Sequence, residues 1–320
     1  MNANPHFRQR LVKFEVEDIA GLREYYERHG YVVLRALIEH SLIDRFLIEY
    51  ERIKRSSTFI YNSQSIHRAI RPELNEYGFI RESIADPSRL GLFPLFSNAI
   101  KECIYHGAVS DALTALDGHE RHVSWQDMFF DLSTGTIEHA DTWYLDTDPP
   151  GSLVGAWFAL ENIEEQAGPF FVMPGSHRIA PLDKAAYLDH EEFRKATQEM
   201  IERHGFEALG MPIDKGDVIL WHPFLVHGAF SNRDPRLSRK SFTSHFFPYG
   251  AKRKEMAATR IEPTYNPLLF RVKHPNDALS NLGLYGKFWV HALRGSKPKM
   301  DMRRKSYLSR PSGSRAERRG

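Results

Sequence analysis

The middle of the chain leaves little choice of architecture. From about Val123 the sequence runs as short apolar segments separated by turn residues: Val123 to Leu132, Thr136 to Tyr144, Ser152 to Ile163, Pro169 to Met173, Asp217 to Trp221, Leu225 to Phe230 and Arg239 to Phe247. Segments of this length and spacing read as strands, and no regular alternation with helices is present to build a parallel sheet. They are expected to close on one another as a β-sandwich or jelly roll. A charged, helical stretch at residues 183 to 204 interrupts them and is expected to join two strands across the outside of the barrel.

The flanks read as helices, giving a mainly β, α+β class with a jelly-roll, cupin-like core. Residues 17 to 29 form a charged helical run ending at Gly30, ahead of a short buried strand, Tyr31-Val-Val-Leu34. Leu42, Ile43, Phe46, Leu47, Tyr50 and Ile53 then fall on one helical face, with Ser41 as the expected cap and Asp44 at the capping-box position. Ile100, Cys103, Ile104, Gly107 and Ala108 keep helical spacing between Ser97 and Leu116, which makes Cys103 a core residue rather than a nucleophile. From Ser56 to Arg89 the period is lost, and Asn62, Gln64, His67, Arg68 and Arg71 appear among scattered aromatics. Such a segment is a lid or a plain surface excursion. After Phe247 the chain is basic and irregular before a last helix-like stretch, Asn276 to Leu293. The expected division is one domain over residues 1–296, with the jelly-roll core at about 120–250, helices and candidate lid at 1–119 and a helical extension at 251–296. A basic tail, 297–320, follows and is expected to be disordered.

Composition narrows the chemistry. With 320 residues, 42% apolar and 12% aromatic, the chain has ample material for a core. A single cysteine excludes an internal disulfide and any thiolate cluster, so a metal here must take oxygen and nitrogen donors. From Lys297 onward nine Lys and Arg face Asp301 and Glu317, a net of +7 in a chain whose total is +2, which leaves residues 1–296 at −5. No nucleic-acid or membrane partner is expected from a solvated basic tail on a mildly acidic body. The start of the chain, MNANPHFRQRLVKFEVED, has no apolar run, and no later segment approaches the roughly 18 apolar residues of a span, so a cytoplasmic protein is expected, a monomer or weak homodimer.

The chemistry centres on Ile137-Glu-His-Ala-Asp-Thr-Trp-Tyr144, whose core is His139-x-Asp141. On a strand, side chains two apart share a face, so imidazole and carboxylate would stand together on the inner wall, with Trp143 beside them. One more imidazole completes the two-His, one-carboxylate set that holds non-heme iron(II) with open positions. His227, which ends the apolar strand after Gly216-Asp217 and precedes Gly228, is favoured over His222, whose neighbour Pro223 breaks the ladder. A hairpin through Ser231-Asn-Arg-Asp-Pro235 would then set Arg239 on the strand beside His227. Arg239, Ser241 and Thr243 share one face, and a buried guanidinium needs an anion; Arg239 is favoured for this over Arg236 in the turn.

Together with Gly30-Tyr-Val-Val-Leu-Arg35, Trp157-Phe-Ala-Leu160, Gly168-Pro-Phe-Phe-Val-Met-Pro-Gly-Ser-His177 and His227-Gly-x-x-x-Asn232, these motifs resemble the phytanoyl-CoA dioxygenase family of iron(II)- and 2-oxoglutarate-dependent oxygenases. The resemblance runs roughly from Gly30 to Phe247. It implies a double-stranded β-helix, iron bound by His139, Asp141 and His227, and Arg239 on the far carboxylate of 2-oxoglutarate. It also implies that Trp157 and Gln126 line that cosubstrate, and that O2 and 2-oxoglutarate are converted to succinate and CO2 with hydroxylation of a C–H bond. Ala229 departs from the family, which often has serine there; Ser241 or Thr243 is the alternative hydroxyl. His177 reads as part of a structural turn.

Substrate is the least legible part. Trp143 with Gln64, His67, Arg68 and Arg71 favours a small polar or anionic metabolite over an aliphatic one or a CoA thioester. The competing readings are a cupin-like isomerase or zinc enzyme, which would need no Arg239, and an inactive jelly-roll binding protein.

Overall fold

The computed structural model describes residues 11–179, 186–253, 260–273 and 280–294. Helix α1 (Ile19–His29) is capped by the Asp18 carboxylate, which accepts from Gly21 N–H, and ends at Gly30 in the left-handed region (φ 81°). Strand β1 (Tyr31–Leu34) follows, then α2 (His40–Ile53), which starts at Glu39 rather than at the expected Ser41 cap; Ser41 Oγ donates to Glu39, and Asp44 pairs with Lys215. The 56–89 excursion is sheet edge rather than loop for part of its length: β2 (Tyr61–Ser63), β3 (Ala69–Ile70) and β4 (Ile84–Ala85) extend the large sheet. Helices α3 (Pro94–Ile104) and α4 (Gly107–Asp117) split the single helical run expected there, and Cys103 is fully buried with its thiol pushed up to about 12 by burial.

The strands of the jelly roll are β5 (His122–Phe130), β6 (Thr147–Asp148), β7 (Val154–Ala159), β8 (Phe170–Val172), β9 (Leu209–Gly210), β10 (Val218–Trp221), β11 (His227–Ala229) and β12 (Ser241–Pro248). Helix α5 (His190–His204) lies within the 183–204 insertion, of which residues 183–185 are outside those described. Beyond them the irregular basic stretch contains β13 (Lys252–Arg253) and the hairpin β14 (Arg260–Pro263) and β15 (Leu269–Lys273), then α6 (Ser280–Arg294). The tail 297–320 lies outside the described residues.

The large sheet runs β1-β10-β7-β12-β5-β4-β2-β3, and β15 joins β5 in parallel. A smaller sheet, β11-β8-β9, lies opposite. Alternation decides what each face meets. Val32, Phe158, Val218, Phe129 and Phe242 face α2 and α3 in one apolar cluster, where the Phe242 ring lies 4.6 Å from that of Phe46. Their neighbours Val33, Trp157, Ile219 and Trp221 point the other way and pack on Phe170 and Val172 of the smaller sheet. β11 and β12 are not a hairpin: β11 pairs with β8, and β12 lies between β5 and β7. The turn at Ser231–Pro235 carries the chain from one sheet to the other. Period 2 gave the face of each strand but not its partner.

Candidate metal centre

Main-chain pairing brings two imidazoles together. His139 N–H donates to His227 O (3.0 Å) and His227 N–H to His139 O (2.9 Å), so the rings stand side by side with centroids 4.4 Å apart. The expected strand from Thr136 to Tyr144 is absent; isolated bridges, Thr134 to Ser231 and His139 to His227, and a bond from Ala229 N–H to Thr136 O (3.0 Å) hold the segment to the smaller sheet. At Asp141 the chain turns, with Asp141 N–H on Pro223 O and one 3-10 turn over Asp141–Trp143. That turn, not strand parity, places Asp141 Oδ1 3.6 Å from His227 Nε2. Donor atoms of His139, Asp141 and His227 all lie within 4.8 Å of one another, the single such group among the described residues.

The donor chemistry fits a divalent metal. His139 Nδ1 is 2.8 Å from Ile137 O and His227 Nδ1 is 2.9 Å from Leu225 O. A carbonyl only accepts, so both Nδ1 atoms carry the proton and both Nε2 lone pairs are left bare. Burial pushes His227 down to about 4, against the pull of Asp141, so it is neutral at neutral pH. Burial alone would raise the Asp141 carboxyl, but His227, His245 and His139 outweigh it and hold it well below its usual range.

Three residues around this group carried no role in the sequence reading. Trp221 Nε1 donates to Asp141 Oδ2 (2.9 Å), which commits one carboxylate oxygen to the protein and leaves Oδ1 toward His227. His245 Nε2 stands 3.6 Å from the same Oδ2. Gly155 pairs with both Trp221 and His245, and a Cβ there would fall 2.1 Å from the Trp221 indole, so the missing side chain is what lets the indole cross β7. Continuing the alternation Arg239, Ser241, Thr243 by one step would have found His245; nothing local marks Trp221 or Gly155.

Arg239 lies two residues before β12, 2% exposed, its N–H on Asp131 O. Its guanidinium sits over the rings of Phe130 (5.2 Å) and Trp157 (5.6 Å), and its Nε has no partner. Burial pushes it down to about 9, with Glu161 pulling the other way, yet Glu161 is held by Ser238 and Lys240. Trp157 stacks on Phe170 (5.8 Å), and Phe170 packs on His227 (5.5 Å), which ties Arg239 to the metal group through two aromatic contacts. Arg236 is exposed and engaged by Asp234 at 2.6 Å. Gln126, half-buried on β5, belongs to a bulge in which Trp125 and Gln126 together oppose His245.

Other expected residues go elsewhere. Trp143 packs on Phe193 (4.8 Å) and His190 of α5; the ring beside His139 is Tyr144, at 5.7 Å. The 3-10 turn breaks the parity that would have set Trp143 beside the donors. His67 is exposed, Arg71 lies over Phe288 of α6, and Arg68 and Gln64 are half-buried near the outer edge strands, separated from β12 by β5 and β4. His222 accepts from Phe224 N–H and packs near His177, away from the donor group.

Fold and donor set define a double-stranded β-helix protein with a two-His, one-carboxylate group of the kind that can hold a metal ion. The chain belongs to the phytanoyl-CoA dioxygenase family: the family profile, Phytanoyl-CoA dioxygenase (PhyH), matches residues 26–241. It is an enzyme of the dioxygenase type. Peroxisomal phytanoyl-CoA dioxygenase of Bos taurus is 25% identical over 236 residues, covering 70% of this chain and 67% of the relative, and the Homo sapiens protein is 24% identical over 238 residues with the same coverage. Among solved structures, the epimerase SnoN in complex with Fe3+, alpha ketoglutarate and nogalamycin RO superposes with TM-score 0.55 at 18% identity, covering 79% of this chain and 98% of that one. EctD from S. alaskensis with bound Fe gives 0.53 at 18%, covering 77% and 82%. These likenesses establish the fold. No helix among the described residues is long and apolar enough to cross a membrane.

Proposed function

We propose that this chain is an iron(II)- and 2-oxoglutarate-dependent oxygenase that hydroxylates a C–H bond of a small polar metabolite, with release of succinate and CO2. The observation that carries the reading is the pairing of the donor group with a buried guanidinium that no protein carboxylate satisfies. His139, Asp141 and His227 would hold the iron, whose bound chemistry is activation of O2 with 2-oxoglutarate as the source of electrons.

The chain's own residues do the rest. Arg239 captures the far carboxylate of 2-oxoglutarate, and the Phe130 and Trp157 rings beside it keep water from that contact. Gln126 lines the same interior. Trp221 holds Asp141 by Oδ2, which would leave Oδ1 to bind the metal. Asp141 also fills the place that a halide would require, which argues for hydroxylation over halogenation. A cupin-like isomerase or zinc enzyme would have no use for Arg239. The relatives' names suggest a CoA thioester, which needs a basic groove for its phosphates; we rank it below a free metabolite.

The test is oxygen-dependent succinate formation from 2-oxoglutarate in the iron-loaded protein, with a metabolite panel screened for stimulation. Metal-loaded protein that binds no 2-oxoglutarate sinks the oxygenase reading. Product lacking label from isotopically heavy O2 sinks hydroxylation alone.

A further inference from the structure

Arg253 is a second buried guanidinium without a partner. It is 9% exposed, its Cζ lies 3.4 Å from the centre of the Trp125 ring, and neither Nε nor Nη1 finds an acceptor. Burial pushes it down to about 10, and Arg89, a like charge, pushes the same way. Arg89 is itself engaged, with Nη2 on Val272 O at 2.6 Å and Nε 3.7 Å from Asp86. A desolvated cation facing another cation is an unfavourable arrangement unless an anion completes it.

Trp125 shares the bulge with Gln126 opposite His245, and its ring meets Phe247, the next interior residue of β12 after His245. Arg253 pairs through β13 with Thr147, six residues beyond Asp141 on the same segment. Along the interior of β12 the order is therefore Arg239, Ser241, Thr243, His245, Phe247. Arg239 precedes this row and Arg253, through Trp125, meets its far end at Phe247, with His245 beside Asp141 between them. One end is the cosubstrate's in the reading above. The other is left for the molecule to be oxidised.

We propose that Arg253, stacked on Trp125, is the anchor for a carboxylate on the primary substrate. This rests on the oxygenase reading of the metal centre. Two buried, unsatisfied nitrogens on one planar group suit a planar two-oxygen anion, and Leu145, Leu153 and Phe247, packed around Trp125, suit a short apolar stem behind it. A phosphoryl group, with more oxygens to satisfy, would find one guanidinium stacked on a ring and a second already bonded to the backbone.

The experiment uses the full chain with iron(II) and saturating 2-oxoglutarate under anaerobic conditions, so that Arg239 is occupied. Hexanoate, hexanamide and inorganic phosphate are titrated, followed by tryptophan fluorescence and thermal midpoint, and 2-oxoglutarate affinity is measured separately. Hexanoate is expected to bind at least about tenfold tighter than hexanamide, the difference set by one charge-assisted contact. Arg253→Gln is expected to abolish that difference and leave 2-oxoglutarate affinity unchanged, Arg253→Lys to retain part of it, and Arg239→Ala to weaken 2-oxoglutarate alone. Equal binding of hexanoate and hexanamide, or none of either, overturns the proposal in the wild-type protein whatever the variants do. So does hexanoate binding that survives Arg253→Gln, or phosphate binding that displaces hexanoate as the preferred anion. Failure of 2-oxoglutarate to bind in the wild type instead strikes the oxygenase reading, and the two failures are read on separate signals.

Discussion

Along β12, Phe242 and Phe246 point at the helices while Thr243 and His245 point between the sheets, and residues one position apart meet opposite chemistry. On the helix side Phe242 touches the rings of Phe46 and Phe129 in a mainly apolar cluster, and the buried Asp131 beside it accepts from the Tyr50 hydroxyl of α2. On the inner side the Nδ1 of His245 and the Nε of Arg239 are buried without hydrogen-bond partners, and His245 Nε2 stands 3.6 Å from Asp141. Unsatisfied buried groups of this kind cost on the order of 1 to 3 kcal/mol each. The helix side carries most of the aromatic packing; on the reading proposed above, the inner side holds groups whose partners would arrive as ligands.

The largest effect that would break this division is on the metal. His227→Ala is expected to remove metal binding by anaerobic titration while circular dichroism still reports a folded chain, and His222→Ala is expected to leave the metal bound; wild-type metal affinity in the His227 variant would end its assignment. Next comes Phe242→Ala, which should lower unfolding free energy by about 3–5 kcal/mol with the metal still bound at full stoichiometry. If that variant loses metal in proportion to its stability, the two faces are not independent.

Arg239→Ala sharpens the contrast in the other sense. It is expected to raise the 2-oxoglutarate requirement by about 2–3 kcal/mol, roughly 30- to 150-fold, without lowering the thermal midpoint, because it removes a buried cation that the apoprotein leaves uncompensated. A similar loss in Arg236→Ala would move the role to that exposed residue. The smallest effect concerns a histidine that packs rather than ligates. Burial and His177 push His222 down to about 4 from 6.5. The folded state thus refuses a proton that the unfolded chain accepts, and stability falls as pH drops from 6.5 to 4. His222→Gln should flatten that part of the apoprotein's pH curve by on the order of 1–2 kcal/mol; an unchanged slope would mean His222 titrates freely.

Much of this was legible because alternation is local. Six of the seven strand segments from Val123 to Phe247 form where the apolar spacing puts them, with ends trimmed by the turns. The seventh, Thr136 to Tyr144, failed because Asp141 opens a 3-10 turn, and a two-residue period cannot foresee a bend made by the pairing of His139 with His227. The same limit misplaced Trp143 for Tyr144. Strand partners were illegible for a related reason: the turn after Phe230 reads alike whether it closes a hairpin or changes sheet. Arg253 escaped notice because the stretch after Phe247 has no period, and only the three-dimensional pairing of β13 with β6 brings it to Trp125.

The reciprocal bonds between His139 and His227 make the metal centre a clasp. Two of its three donors sit on segments joined by that bridge, by the bridge at Thr134 and Ser231, and by single bonds from Ala229 N–H to Thr136 O and from Asp141 N–H to Pro223 O. An ion held by both imidazoles cross-links those segments, so its binding free energy opposes their parting. Opening of this edge and release of the metal become the same event. In the chelated protein the His139 and His227 amides should exchange hydrogen as a pair and far ahead of β12, whereas in the loaded protein they should slow together, in step with the free metal concentration.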